Sequence, residues 1–192
     1  MAGSELTFAC TCGTVRGALV GASATEGTRA ECFCADCRAS EIYARQPDPA
    51  PNGVQLFQAM PDQVRFDAGH EQLAVFSLSE KGLLRWQAKC CGAIMFFTMR
   101  SPKIPFASIR TDRLTDPDAL GPVIARAFVR KPNGKVGHDR LGTFIYRFAS
   151  RAVSRRISGK WKNTPFFDAE SLKPVADIYV LSKDERKAAT AA

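Results

Sequence analysis

Short alternating runs of apolar and polar residues, broken by turn formers, fill the first hundred positions. Leu6-Thr7-Phe8-Ala9-Cys10 alternates and predicts a strand, and residues 14–20 predict the next, with Cys12-Gly13 as the turn between them. Residues 21–27 are small and polar and read as a loop. Residues 30–34 resume the extended pattern. Residues 35–46 predict a short helix with Asp36 as its cap. Residues 47–53 carry three prolines and a glycine, so a loop follows. Strands are then predicted over 54–58, 63–66, 73–78 and 83–87. They are separated by Met60-Pro61-Asp62, Ala68-Gly69-His70 and Glu80-Lys81-Gly82. Residues 93–99 pair back into the same sheet. Such even spacing points to antiparallel, mainly β architecture.

Beyond Ser101 the pattern changes. Asp116-Pro117-Asp118 starts a helical turn, and residues 131–137 form a polar loop. Residues 141–158 predict a helix with Leu141, Phe144, Ile145, Phe148 and Ala152 on one face and Arg147, Arg151 and Ser154 on a flank. Gly159 ends it. Thr164-Pro165-Phe166-Phe167-Asp168 is an apolar anchor within a loop, and the last ten residues are expected to fray. No internal repeat is visible outside the thiol turns. The expected organisation is an antiparallel β domain over residues 1–100 and an α-rich C-terminal extension over 101–192 packed on it.

Composition alters this picture little. With 45% hydrophobic and 24% charged residues, a chain of 192 residues has material for a core. No uncharged run approaches a membrane span. Met1-Ala2-Gly3-Ser4-Glu5 has no basic segment leading into an apolar one, so the expectation is a cytoplasmic protein with reduced thiols. Charge is uneven. Residues 1–100 carry 9 Lys and Arg against 10 Asp and Glu, whereas residues 101–192 carry 18 against 9. That asymmetry hints at an anionic partner. Against a nucleic acid, the cluster Arg147, Arg151, Arg155, Arg156, Lys160 and Lys162 has no interleaved aromatics to stack bases and reads as a solvated helix end. Trp86 and Trp161 read as core or interface anchors.

The chemistry lies in the seven cysteines, all of which fall in three groups: Cys10-Thr11-Cys12-Gly13, Cys32-Phe33-Cys34-Ala35-Asp36-Cys37-Arg38, and Cys90-Cys91-Gly92. An odd number leaves one over in any disulfide framework, and close spacing suits a turn that wraps an ion. Zinc takes thiolates in a tetrahedron, and glycine just after a cysteine lets the turn adopt positive φ. Cys12-Gly13 and Cys91-Gly92 share that feature and read as two halves of one site, with Cys10, Cys12, Cys91 and Cys90 as candidate ligands. Cys32, Cys34 and Cys37 form a second set. Its fourth position either stays open, as in catalytic zinc sites, or is closed by Cys90. His70 and His138 fall in loops away from the thiols. Asp36 and Glu41 lie near the central set. Asp36 reads as a cap and Glu41 as a solvated carboxylate, with general acid–base work as the alternative. Arg38 would either pair with a carboxylate of the bound molecule or offset the charge of a trithiolate zinc.

Cys10-x-Cys12-Gly13, then Cys32-x-Cys34-x-x-Cys37-Arg38, then a late Cys-Gly pair after Arg85-Trp86, resembles the domain shared by glutathione-dependent formaldehyde-activating enzyme and centromere protein V. The resemblance covers residues 6–99. It implies an all-β, zinc-supported β-tent with a structural zinc held by the first and last cysteine groups. It also implies a second zinc at the central group, linked to carbon–sulfur lyase chemistry on a glutathione adduct. The chain departs at one place. That family usually ends in Cys-x-x-Cys-Gly, whereas Ala88 stands in the first of those positions here and the spare thiol is Cys90. The chain is similar in this to a branch with Cys-Cys-Gly and a helical C-terminal extension. Two readings follow: a zinc-dependent lyase acting on a small thiol or glutathione adduct, and a non-catalytic zinc module that docks a protein or anionic partner.

Overall fold

The computed structural model describes residues 5–191. Of the opening stretch read for a leader, only Glu5 lies within them, and Ala192 lies outside. The described chain is mainly β, with twelve strands in two sheets and three α-helices. A three-stranded antiparallel sheet is formed by β1 (Glu5–Ala9), β2 (Arg16–Val20) and β5 (Val64–Ala68), in the order β1-β2-β5. The other strands are β3 (Thr28–Cys32), β4 (Val54–Ala59), β6 (Leu73–Ser77), β7 (Leu84–Ala88), β8 (Ile94–Thr98), β9 (Ala107–Arg110), β10 (Ala125–Arg130), β11 (Val136–Asp139) and β12 (Ile178–Val180). They form one sheet of order β11-β10-β3-β4-β9-β8-β7-β6-β12.

The large sheet is covered on both faces, which explains why β8 reads Ile94-Met95-Phe96-Phe97-Thr98 and is buried throughout. Successive side chains alternate in direction, so Phe96 and Phe97 enter different clusters. On Phe96's side the small sheet closes the core. Phe8 meets Phe96 edge-on at 5.1 Å, and Phe166 from the C-terminal half seats on Trp86 at 5.1 Å and Phe96 at 5.2 Å. The anchor expected at Phe166 and Phe167 is therefore real, with both rings buried. Trp86 is fully buried, and its indole N–H donates to Thr98 Oγ1 at 2.9 Å. On Phe97's side, Phe76, Leu78 and Ile94 pack with α1 (Ala35–Tyr43) and α3 (Lys183–Ala191) through Ala39 and Ala189.

Several expectations need correction. The helix over the last residues is formed and packed, with Ala189 buried, rather than frayed; its apolar face is too small to stand out in sequence. Strands from both sides of residue 100 share the large sheet, where β8 pairs with β9, and the C-terminal half adds β9 to β12 to it. Pairing is not wholly antiparallel. β10 runs parallel to β3 and β12 parallel to β6, because long connections bring these strands back to a sheet edge.

The helix α2 (Leu141–Ile157) ends before Gly159 as read, but Ile145 faces solvent. The inward stripe is Leu141, Phe144, Phe148, Arg151, Ala152 and Arg155, with Phe148 edge-on to Phe106 at 5.3 Å. The two arginines are not solvated. Arg151 donates to Thr28 Oγ1 at 2.9 Å and to Gln58 Oε1, while Arg155 pairs with Asp62 at 3.0 Å and Glu26 at 3.4 Å. They clamp the helix to the rest of the fold. Arg156 instead stacks over Trp161 at 4.6 Å. No helix among the described residues is long and apolar enough to cross a membrane.

Candidate metal centres

The turn joining β1 to β2 carries Cys10 and Cys12. It closes through the Gly13 N–H to Cys10 O at 2.9 Å and the Cys10 N–H to Val15 O at 2.8 Å, while the Val15 N–H donates to Cys10 Sγ at 3.3 Å. Gly13 takes φ 79°. The turn joining β7 to β8 carries Cys90 and Cys91 and closes through the Gly92 N–H to Ala88 O at 2.8 Å. Gly92 takes φ 72°, and a Cβ there would lie 2.8 Å from Ala44 O. Glycine is thus required at Gly92 both by conformation and by space.

These two turns belong to different sheets, and they meet. Cys10, Cys12, Cys90 and Cys91 place their sulfurs within 4.8 Å of one another. Four of the six edges are 3.6 Å for Cys10–Cys12, 3.8 Å for Cys10–Cys90, 3.2 Å for Cys12–Cys90 and 4.0 Å for Cys90–Cys91, and the two from Cys91 to Cys10 and Cys12 stay within 4.8 Å. A zinc–sulfur bond of about 2.3 Å in a tetrahedron requires edges of about 3.8 Å. The four sulfurs therefore fit one tetrahedral ion, and Cys90 lies in this group, not in the central one. Adjacent cysteines reach the same point because the Cys90-Cys91-Gly92 backbone turns sharply. The two halves read from the sequence thus join two sheets.

Arg113, which the sequence did not flag, laces the turns together. It donates to Thr11 Oγ1 at 2.9 Å, to Ile94 O at 3.4 Å and to Gln46 Oε1 at 3.4 Å, and the Gln46 amide reaches Cys91 O at 3.4 Å.

The central set is built by a strand running into a helix. Cys32 ends β3, and the Phe33 N–H donates to Ala127 O at 2.9 Å, continuing the pairing with β10. Cys34, not Asp36, caps α1: its sulfur accepts from the Cys37 N–H at 3.3 Å. Sulfur can take the cap because Cys34 precedes the first helical residue in extended backbone. Cys37 follows in the first turn, and the three sulfurs lie within 4.8 Å of one another. The helix N-terminus favours negative charge on them. Hydrogen bonds from Cys32 and Cys37 pull Cys34 down to about 2, while the Cys34 contact and burial push Cys32 up to about 11, and contacts with both other sulfurs and burial push Cys37 well above the ordinary thiol value. In the four-thiol group the Thr14 hydroxyl and neighbouring sulfurs lower Cys12 to about 6, and desolvation with the Cys12 contact raises Cys90 to about 12. In each set, then, a sulfur drawn toward the thiolate stands against neighbours held toward the neutral thiol. Both groups can hold a metal ion.

The groups around the central set differ from expectation. Asp36 is half-exposed to solvent and lies 3.4 Å from Arg186. Glu41 is not solvated: it is 1% exposed and ion-paired with Arg110, which also holds Asp112 at 2.7 Å. Burial pushes the Glu41 carboxyl up. It faces β9 because α1 lies against the sheet, so it ties the helix that carries Cys37 to the core. Arg38 forms a bidentate pair with Asp48, Nε to Oδ1 at 2.8 Å and Nη2 to Oδ2 at 2.5 Å, in the wall of an open cleft of about 510 Å³. Neither histidine approaches a thiol set. His70 Nε2 lies 2.8 Å from Pro165 O, and His138 Nδ1 accepts from the Phe128 N–H at 3.1 Å.

A buried cation beside the central sulfurs is one the sequence did not single out. Arg85 on β7 is 3% exposed and lines a cavity together with Cys32, Cys34 and Cys37. It donates to Ser40 Oγ at 2.5 Å and Leu83 O at 2.9 Å and forms no ion pair with a carboxylate among the described residues. A strand arginine between the apolar residues Leu84 and Trp86 was the available signal.

A family model described as "Family of unknown function (DUF6151)" matches residues 3–179. A crystal structure of a Rhodobacter sphaeroides protein is similar at 19% identity and a TM-score of 0.43, covering 61% of this chain and 96% of that one. No curated protein matches the sequence.

Proposed function

The chain belongs to the DUF6151 family of unknown function, and from that premise we propose that it is a two-zinc protein with one closed, structural centre and one open, ligand-binding centre. Cys10, Cys12, Cys90 and Cys91 would hold the first ion, because their sulfurs fit a tetrahedron and bridge two sheets. Cys32, Cys34 and Cys37 would hold the second. The observation that carries the reading is that these three sulfurs stand together, without a fourth ligand among the described residues, in the wall of a cavity. Three protein ligands and an accessible fourth position are the arrangement of zinc sites that take a ligand.

Zinc there would supply Lewis acidity and a lowered pKa for a bound thiol. The chain's own residues do the rest. The α1 N-terminus and Arg85 offset the charge of the sulfurs, and Glu41 with Arg110 fixes the helix that delivers Cys37. The finer reading, implied by the resemblance to glutathione-dependent formaldehyde-activating enzyme, is carbon–sulfur lyase chemistry on a thiol adduct in the cytoplasm, with residues 1–100 as the zinc-binding unit. The alternative docking module loses part of its support, since Arg151 and Arg155 of the basic helix are engaged within the fold.

Metal analysis and thiol titration test the proposal. The purified chain should carry two zinc equivalents and Cys34→Ser one, and 2-mercaptoethanol should bind the first and not the second. Equal metal content in both, or thiol binding unaffected by Cys34→Ser, would refute it.

A further inference from the structure

The cavity beside the three sulfurs has a volume of about 280 Å³ and an unusual lining. Its floor is one face of the large sheet where β10, β3, β4 and β9 present Ala125, Ala30, Leu56 and Ser108; Ala30 sits opposite both Ala125 and Leu56. Phe97, opposite Ser108, extends the floor, and small side chains there leave space under α2, whose Leu141 and Phe144 form the roof with Phe106 alongside. Apart from the thiols, the polar groups at its edge are Glu31, Asp36, Arg85 and Ser108. Of these, Glu31 is taken by Arg126 at 3.1 Å, Asp36 by Arg186, and Ser108 by Phe57 O at 3.3 Å. An apolar space of this kind favours an apolar occupant, and about 150 Å³ suffices for a benzene ring.

Phe128 marks its outer limit. This residue, like Cys32 and Cys34, lines both the apolar cavity and the 510 Å³ cleft that holds Arg38, Asn52 and Arg130, and in that cleft Arg38 is already taken by Asp48. It takes φ 61° at an irregularity in the β10–β11 register, which turns its ring out of the strand's regular alternation, and its N–H is held by His138. Left-handed backbone at a bulky residue is costly and persists where surrounding structure enforces it.

We propose that the three-thiol centre selects thiols with a compact apolar body, aryl or branched alkyl, over polar peptide thiols such as glutathione, with the cavity as the subsite for that body and Phe128 as the wall that bounds it. The proposal rests on the open-centre reading above and deepens it. A tripeptide thiol brings two carboxylates and an amine, and the cavity offers them one cation, Arg85, and little else that is free. A phenyl ring next to the thiol instead finds Ala30, Leu56, Phe97, Phe106 and Phe144.

Calorimetric titration of the zinc-loaded full chain with benzyl mercaptan, 2-mercaptoethanol, glutathione and the thiol-free probe toluene tests this. Benzyl mercaptan should bind at least about tenfold more tightly than either other thiol, the order expected from removing on the order of 100 Å² of apolar surface from water. Ala30→Leu, or Ala127→Leu should that variant fail to fold, fills the cavity and should abolish the preference while 2-mercaptoethanol still binds. Phe128→Ala should lower it. Equal affinities for the three thiols, or a preference untouched by both filling variants, would overturn the proposal. Toluene separates the causes. Thiols silent with toluene bound locate the failure in the thiol centre, toluene silent with 2-mercaptoethanol bound locates it in the cavity, and either result overturns the proposal.

Discussion

The two thiol groups use the same donor atoms to opposite ends. In the first, four sulfurs come from two turns, 78 to 81 residues apart, at the seam between two sheets, and all four stand close enough to surround one ion. In the second, three sulfurs come from six consecutive residues and line a cavity. Long-range ligands make a metal part of the fold, because binding then closes a large loop. Ligands from one short segment add little to global stability, which under the proposed reading would leave that centre free to exchange a fourth partner. The difference lies in sequence separation rather than in chemistry.

Substituting one cysteine from each group should break this comparison most visibly. Cys91→Ser should lose a large part of the folding free energy, on the scale of about 10 kcal/mol that structural zinc supplies. Cys34→Ser should unfold at nearly the wild-type denaturant midpoint while losing its own ion. Equal midpoints for the two variants in guanidinium would contradict the division. A step smaller, Glu41→Ala leaves Arg110 with only the more exposed Asp112 to pair and should destabilise by about 3 kcal/mol, the low end for a broken buried pair. Because Glu41 lies on the helix carrying Cys37, this variant should also weaken zinc at the central set and spare the four-thiol set, as competition with a chromophoric chelator would show. Smaller still, Arg113→Ala removes the hydrogen bonds from Thr11, Gln46 and Ile94 O and should cost about 1–3 kcal/mol. Here the four-thiol centre should release its ion sooner and the central one should not.

Much of this was legible in the sequence. The three cysteine groups, the glycines that follow Cys12 and Cys91, the strands of the first hundred residues and the helix before Gly159 all announce themselves locally, through spacing, alternation or a conformational requirement. What was not legible depends on partners far along the chain. Cys90 had two candidate groups, and only the approach of the β7–β8 turn to the β1–β2 turn decides between them. Asp36 is a good capping residue, yet Cys34 sits one position before the helix and takes the role. Glu41 and Arg85 look like surface charges until α1 is laid on the sheet. The segment Lys183–Ala191 reads as a polar tail because its packed side is alanine. The cavity is a consequence of small residues on separate strands lining up under α2, which no single window of sequence displays.

The seam between the sheets also orders events during synthesis. The hairpin bearing Cys10 and Cys12 leaves the ribosome early, but the sulfurs that complete its metal set follow only with Cys90 and Cys91. A hairpin made well before its metal partners is thus fastened late. A ribosome stalled before Cys90 would carry a hairpin whose thiols still await their partners, open to oxidants and to competing cations.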